Sequence, residues 1–166
     1  MHTPDLKDAL IRPILPSDNP QVEKLIVSVM SDFGCVGEGY SSSDPEVKSM
    51  YEAYKTPRAK FYVIECEGKI YGCGGLAPLE NGDPQVCELR KMYFYNEIRG
   101  YGFGRRLLQI CIDDAHAFGF RKMYLETVER MNQARKLYLG FGFQPIDHSM
   151  GHTGHSGCDN FYIKDI

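Results

Sequence analysis

The sequence predicts a mixed α/β domain, one central sheet flanked by a few helices, and three observations point to it. Short runs rich in β-branched and aromatic residues are interspersed with segments whose apolar residues recur every three or four positions. Asparagine or aspartate followed by proline opens two of the helical segments, and glycine closes the first of them and two later helices. The chain has 166 residues, 43% hydrophobic and 25% charged, which is the size and composition of one globular domain, expected over residues 1–166.

The elements follow in order. Residues 9–15 (ALIRPIL) read as a short strand, and Pro13, which cannot donate to a ladder, places it at a sheet edge. Asn19 and Pro20 open a helix with Val22, Leu25, Ile26, Val29, Met30 and Phe33 on one face, stopped by Gly34. After a polar loop, Asp44 and Pro45 repeat the start signal for a second, shorter helix carrying Val47, Met50, Tyr51 and Tyr54. Residues 59–78 read as two antiparallel strands joined at the turn EGK. Residues 85–95 form a further strand whose apolar phase slips at Lys91, as a β-bulge would make it do. A helix with Leu107, Leu108, Cys111, Ala115 and Phe118 ends at Gly119, and a strand follows at 121–127. A last helix, capped near Asn132, carries Ala134, Leu137, Tyr138 and Phe141, and two strands near FQPID and NFYIKD close the chain.

Composition excludes several classes. No apolar run nears the roughly 20 residues needed to cross a bilayer, and the N-terminal stretch lacks the marks of a secretory signal, so no membrane partner and a cytoplasmic location are expected. The six cysteines contain no CxxC pair and are expected to be free thiols. Nineteen basic residues against 22 acidic ones give a net charge of −3, which argues against a nucleic-acid surface.

Chemistry concentrates at RGYGFGRR, residues 99–106. A strand running through glycines into a helix aims unpaired amides and the positive helix end at one point, which suits a phosphate, and Arg105 and Arg106 add charge. A dinucleotide fingerprint fails because Arg105 stands where the third glycine belongs, and no GK[ST] follows for a Walker loop.

The stretch ELRKMYFYNEIRGYGFGRRLL, followed by NQARKLYLGFGF, resembles the paired signature motifs of the GNAT superfamily of N-acyltransferases. The R-x-x-G-x-G motif matches Arg99, Gly102 and Gly104, and the second motif matches Asn132, Leu137, Tyr138, Gly142 and Phe143. The resemblance implies a mostly antiparallel sheet of six to seven strands with splayed central strands and about four helices. It also implies acetyl-CoA as co-substrate. Its pantetheine arm would lie in the gap along the backbone of Met92, Tyr93 and Phe94, and its pyrophosphate on the amides of Arg99, Gly100, Tyr101, Gly102, Phe103, Gly104 and Arg105. Asn132 belongs to the same cofactor set.

By the same resemblance Tyr138 would donate to the departing thiolate, although it also shares the apolar face of its helix. Glu88 would draw the proton from the acceptor amine, which is almost wholly protonated near neutrality; its bland alternative is a solvated carboxylate paired with Arg90. Glu38, Tyr40, His155 and Asp159 are the candidates for the acceptor. The resemblance therefore implies transfer of an acetyl group to a small-molecule or peptide amine by direct attack in a ternary complex, in a monomer or homodimer. A non-catalytic acyl-CoA sensor is the alternative, and it would have no need of Glu88 and Tyr138. His148, His152, His155 and Cys158 have spacings that could hold a metal, but the family fold requires none and no metal is expected.

Overall fold

The computed structural model describes residues 2–166, apart from the side chain of Ser41; Met1, at the start of the expected domain, lies outside the described residues. Seven strands form one sheet: β1 (Leu10–Pro13), β2 (Lys60–Cys66), β3 (Lys69–Pro78), β4 (Val86–Phe94), β5 (Lys122–Thr127), β6 (Gln144–Ile146) and β7 (Asn160–Asp165). Their order is β1-β2-β3-β4-β5-β7-β6. Every neighbouring pair is antiparallel except β4 and β5, which run parallel. The helices are α1 (Asn19–Asp32), α2 (Met50–Ala53), α3 (Phe103–Ala117) and α4 (Asn132–Gly140). The mostly antiparallel sheet with four helices is the architecture expected from the sequence.

Strand alternation divides the core between the two faces of the sheet. Phe61 and Val63 of β2 pack with Val22, Leu25, Ile26 and Val29 of α1. Tyr62 and Ile64 point the other way, into a cluster with Leu107, Leu108 and Cys111 of α3 and Tyr138 of α4. Leu107 and Leu108 are fully buried. Burying a leucine is worth about 1.5 to 3 kcal/mol, so this stripe fixes α3, and the loop that begins it, against the sheet.

Two features of β4 shape the centre. Its pairing with β5 ends at Glu88↔Tyr124, although β4 continues to Phe94 and β5 to Thr127. The two strands therefore fork beyond Glu88. The register with β3 passes from Gly75↔Arg90 to Cys73↔Tyr93, two steps on β3 against three on β4, and Lys91 has φ +55°. The slip in apolar phase at Lys91 is a bulge, with a non-glycine residue held in a left-handed conformation.

Some local expectations need correction. The first strand covers only Leu10–Pro13, at the sheet edge. Asn19 is the first residue of α1 rather than its cap; its side chain accepts from the Tyr51 N–H at 2.9 Å and donates to Glu52 at 2.8 Å, tying α1 to α2. The segment after Asp44 is not one helix but a 3-10 turn, Pro45–Lys48, followed by the four-residue α2. Asp44 makes no capping bond there. Its carboxylate is engaged elsewhere, and the helical run is interrupted at Ser49, whose backbone sits at φ −144° and ψ 53°.

Candidate active site

The fork has two sides, and the first is made of backbone. Gly100 and Gly102 adopt φ of +88° and +84°, with Gly102 immediately before α3. A Cβ at either position would meet nothing within 4 Å, so these glycines serve a left-handed turn that opens onto free space. Gly104 has no such need, and a Cβ there would make ordinary contact with Leu137 at 3.5 Å. Among the described residues, no protein acceptor takes the amides of residues 100–105, and Arg106 N–H is the first to bond back, to Gly102 O at 3.1 Å. This is an unpaired amide cluster at a helix start, suited to an anion.

Two expectations for this side change. The Arg99 amide is not free: it donates to Asn96 O at 3.1 Å, and its guanidinium donates to Asn96 Oδ1 at 2.7 Å and Phe94 O at 2.8 Å. Tyr95 N–H donates to Tyr71 O on β3, and the Tyr93 N–H likewise turns to Cys73 of β3. By strand alternation Met92 and Phe94 then present their backbone groups to the open side of β4, and Tyr93 does not. Tyr101 is exposed, Phe103 is buried, and Arg105 lies over the Phe141 ring at 5.5 Å.

Asn132 begins α4 after Met131, and its Oδ1 accepts from Arg135 at 3.2 Å instead of capping the helix. Tyr138 is the buried residue of α4, its ring 5.9 Å from Phe143 and 6.4 Å from Tyr162. Burial pushes the Tyr138 phenol well above its ordinary value, so it keeps its proton. Its hydroxyl makes no hydrogen bond to the described residues.

The second side is made of side chains. Glu88, the last residue of β4 paired with β5, is 2% exposed, and its Oε1 accepts from Arg90 Nε at 2.6 Å. Burial raises the Glu88 carboxyl above its ordinary range while Arg90 opposes the rise. Lys91, turned by the bulge, is buried with Nζ 2.6 Å from Asp44 Oδ2 and 2.9 Å from Glu46 Oε1. The same Asp44 oxygen lies 2.7 Å from His155 Nε2, and His155 Nδ1 lies 3.4 Å from Glu126 Oε1. Glu126 also accepts from Tyr124 and Thr153, at 2.6 and 2.5 Å. Burial alone would lower the His155 imidazole, but its bonds to Asp44 and Glu126 outweigh that and push it up to about 9.

These groups border a cavity of about 270 Å³, walled by Glu88, Arg90 and Lys91 of β4, Asp44 to Glu46, Glu80, Thr153 and His155. Its acids outnumber its bases, which favours a cationic visitor. A larger hollow of about 470 Å³ between the end of α3 and β7 shares none of these residues. It is a shallow surface feature away from the fork, and the smaller cavity is the better candidate.

Of the four acceptor candidates, the structure brings only His155 to this cavity. Tyr40 packs its ring against Gly157, where an added Cβ would come within 2.6 Å, and so helps hold the tail loop. Asp159 accepts from the Glu129 amide at 3.1 Å and from Asn160 at 2.9 Å, which fixes the loop after β5. Glu38 is exposed and does not border the cavity. His148 pairs with Asp147, and the His152 amide donates to Glu80 O, so neither joins His155. All six cysteines are free thiols, and burial pushes Cys73 and Cys87 up to about 12, unsuited to nucleophilic roles.

A parallel strand pair that forks above a buried carboxylate, with a glycine turn of free amides opening the following helix, is accompanied by a sequence match. The profile of the acetyltransferase (GNAT) family matches residues 24–143. The chain belongs to the GNAT acetyltransferase family. This GNAT protein is 35% identical over 158 residues to an uncharacterized N-acetyltransferase, YjgM, of Escherichia coli K12, covering 95% of each chain. It is 28% identical to an uncharacterized N-acetyltransferase, C1271.07c, of Schizosaccharomyces pombe, covering 80% of each. Among solved structures, a GNAT-family acetyltransferase of Staphylococcus aureus Mu50 superposes with a TM-score of 0.84 at 20% identity, covering 95% of this chain and 98% of that one. YncA of Salmonella typhimurium, solved with acetyl-CoA, superposes with a TM-score of 0.72 at 18% identity, covering 95% and 94%. The protein is an acyltransferase of the N-acetyltransferase kind.

Sequence reasoning missed Asp44, Glu46, Lys91, Thr153 and Glu126 as members of the charged cluster. One signal was available: Lys91 breaks an apolar strand, and a charge on the inward phase of a core strand needs a partner. Nothing local marked Asp44, whose bond to His155 spans 111 positions.

Proposed function

We propose that this GNAT protein transfers an acetyl group from acetyl-CoA to a primary amine of a small polar molecule, both bound at once on the two sides of the fork. The observation that carries the reading is the end of the β4–β5 ladder at Glu88, which leaves residues 89–94 without a strand partner on that side, next to six amides with no protein acceptor. An extended amide-bearing arm could bond to Met92 and Phe94 as a missing strand would, and a pyrophosphate could rest on the amides of residues 100–105. Arg105, over the Phe141 ring, and Leu137 of α4, beside Gly104, border the same region. The cavity of about 270 Å³ and its excess of carboxylates support a small cationic acceptor.

When bound, acetyl-CoA supplies a thioester whose carbonyl carbon forms the new C–N bond as the C–S bond breaks. The chain's part is proton handling and charge stabilisation. Glu88, bonded to Arg90 and made more basic by burial, takes the proton of the amine directly or through water. The amide of Met92 stabilises the negative charge that gathers on the carbonyl oxygen, a contribution of about 2.7 to 4 kcal/mol where such donors have been removed. Tyr138 donates to the departing sulfur. Its phenol lies above the thiol range of about 8.5, so it acts as a hydrogen-bond donor rather than by complete proton transfer.

The test is free-thiol release from acetyl-CoA in the presence of a panel of small primary amines. Amine-dependent release is expected, and Tyr138→Phe should lower turnover by about tenfold or more, the value of one hydrogen bond to a charged group, with acetyl-CoA affinity nearly unchanged. Tight binding of acetyl-CoA with no thiol release across the panel would replace this reading with a sensor. Displacement of acetyl-CoA by ATP or NAD would replace it with a nucleotide site.

A further inference from the structure

The tail loop between β6 and β7 contains the histidines and cysteine that the acetyl-transfer reading leaves unexplained. His155 and Cys158 meet Glu126 of β5, and one donor atom from each residue falls in a group spanning no more than 4.8 Å. We propose that Glu126, His155 and Cys158 bind one divalent transition-metal ion, of the zinc, cobalt or iron(II) kind, through a carboxylate oxygen, Nδ1 and Sγ, with water as fourth ligand. The site rests on the placement of this loop and not on the acetyl-transfer reading, so either can fail alone.

Two contacts outside the ligands favour it, as do the number and kind of the ligands themselves. Asp44 Oδ2 lies 2.7 Å from His155 Nε2, which leaves Nδ1 directed toward Glu126; a metal-binding histidine commonly donates its other ring N–H to a carboxylate in this way. Glu126 is oriented by Tyr124 and Thr153, at 2.6 and 2.5 Å. The mixture of oxygen, nitrogen and sulfur suits borderline ions and disfavours magnesium or calcium, which take oxygen ligands. Three protein ligands with one open position is the arrangement of tetrahedral sites that retain a water.

Bond lengths near 2.0 to 2.3 Å would draw the donors to about 3.3 to 3.6 Å apart, a contraction of about 1 Å. Gly154, at φ +77° and with open space around it, precedes His155 and gives the loop the freedom to make it. Coordination displaces the thiol proton of Cys158 and the Nδ1 proton of His155. The resulting thiolate and the Glu126 carboxylate then balance the charge of the ion, and the loop is tied to β5 as a wall of the acceptor cavity.

The full chain, stripped with chelator, is titrated with Co²⁺. The expected result is one ion per chain, with a thiolate-to-cobalt charge-transfer band and visible bands of tetrahedral intensity. The charge-transfer band should vanish in Cys158→Ser and persist in Cys35→Ser. A second readout uses the wild-type chain, in which Cys158 is the one cysteine that is not buried. Stoichiometric Zn²⁺ should slow its alkylation about tenfold or more, the effect of at least 90% occupancy. Absence of a charge-transfer band, its persistence in Cys158→Ser, or unchanged alkylation would overturn the site.

Discussion

On one side of the fork the available groups are main-chain amides from one short stretch, residues 100–105; on the other they are side chains drawn from residues 44–46, β4, β5 and the tail loop. The first side needs glycine at defined backbone angles and tolerates most neighbours, because an amide is the same in every residue. The second needs particular charged residues at particular places, each balancing another in a low-dielectric setting. A shared co-substrate site and a divergent acceptor site are what this contrast would produce. The two sides should respond differently to substitution.

The largest expected effect is on the side-chain face. Glu88→Gln keeps the shape and an oxygen for Arg90 but cannot take a proton, and kcat should fall by about 10² to 10⁴-fold while acetyl-CoA binding is retained. A loss below about threefold would assign proton removal to water.

The backbone face is probed by two glycines that differ in reason. Gly102→Ala forces a side chain into φ +84° and should cost about 1 to 2 kcal/mol of stability in thermal unfolding, with weaker acetyl-CoA binding. Gly104→Ala lies within α3 in ordinary contact distance and should raise the stability of the free protein by about 0.5 to 1 kcal/mol. It should nonetheless weaken acetyl-CoA binding, because only a ligand would crowd that Cβ. Parallel changes in stability and binding at Gly104 would contradict the comparison.

The smallest effect is on pH dependence, and it belongs to the side-chain face alone. His155 faces Asp44, Glu126, Lys91, Glu88 and Cys158, and its folded value of about 9 lies above the ordinary 6.5. The folded state therefore holds this proton more tightly. The associated stability is full below about pH 6.5 and is lost as pH rises through about 9. In chelator, thermal stability should decline across that window in the wild type and decline less in His155→Gln. Equal slopes would mean that other groups govern the pH response.

The same contrast explains what could be read in advance. The glycine turn, the bulge at Lys91 and the helices α1 and α3 are local signals, written in adjacent residues. Edge placement of β1 was legible from Pro13 for the same reason. The charged cluster was not, because Asp44, Lys91, Glu126 and His155 meet only through the sheet order and the path of two loops. Asp44 also looked like a helix cap, and a carboxylate can satisfy either role. Three-dimensional proximity decided it in favour of Lys91 and His155, while the helix expected after Asp44 breaks at Ser49 into a turn and a short α2.

The most direct measurement is a crystal structure of the acetyl-CoA complex. The account predicts the pantetheine arm between β4 and β5 beyond Glu88, bonded to the backbone of Met92 and Phe94, with the pyrophosphate on amides within residues 100–105 and the thioester near Tyr138. A cofactor lying elsewhere, with β4 and β5 closed together along residues 89–94, would contradict it.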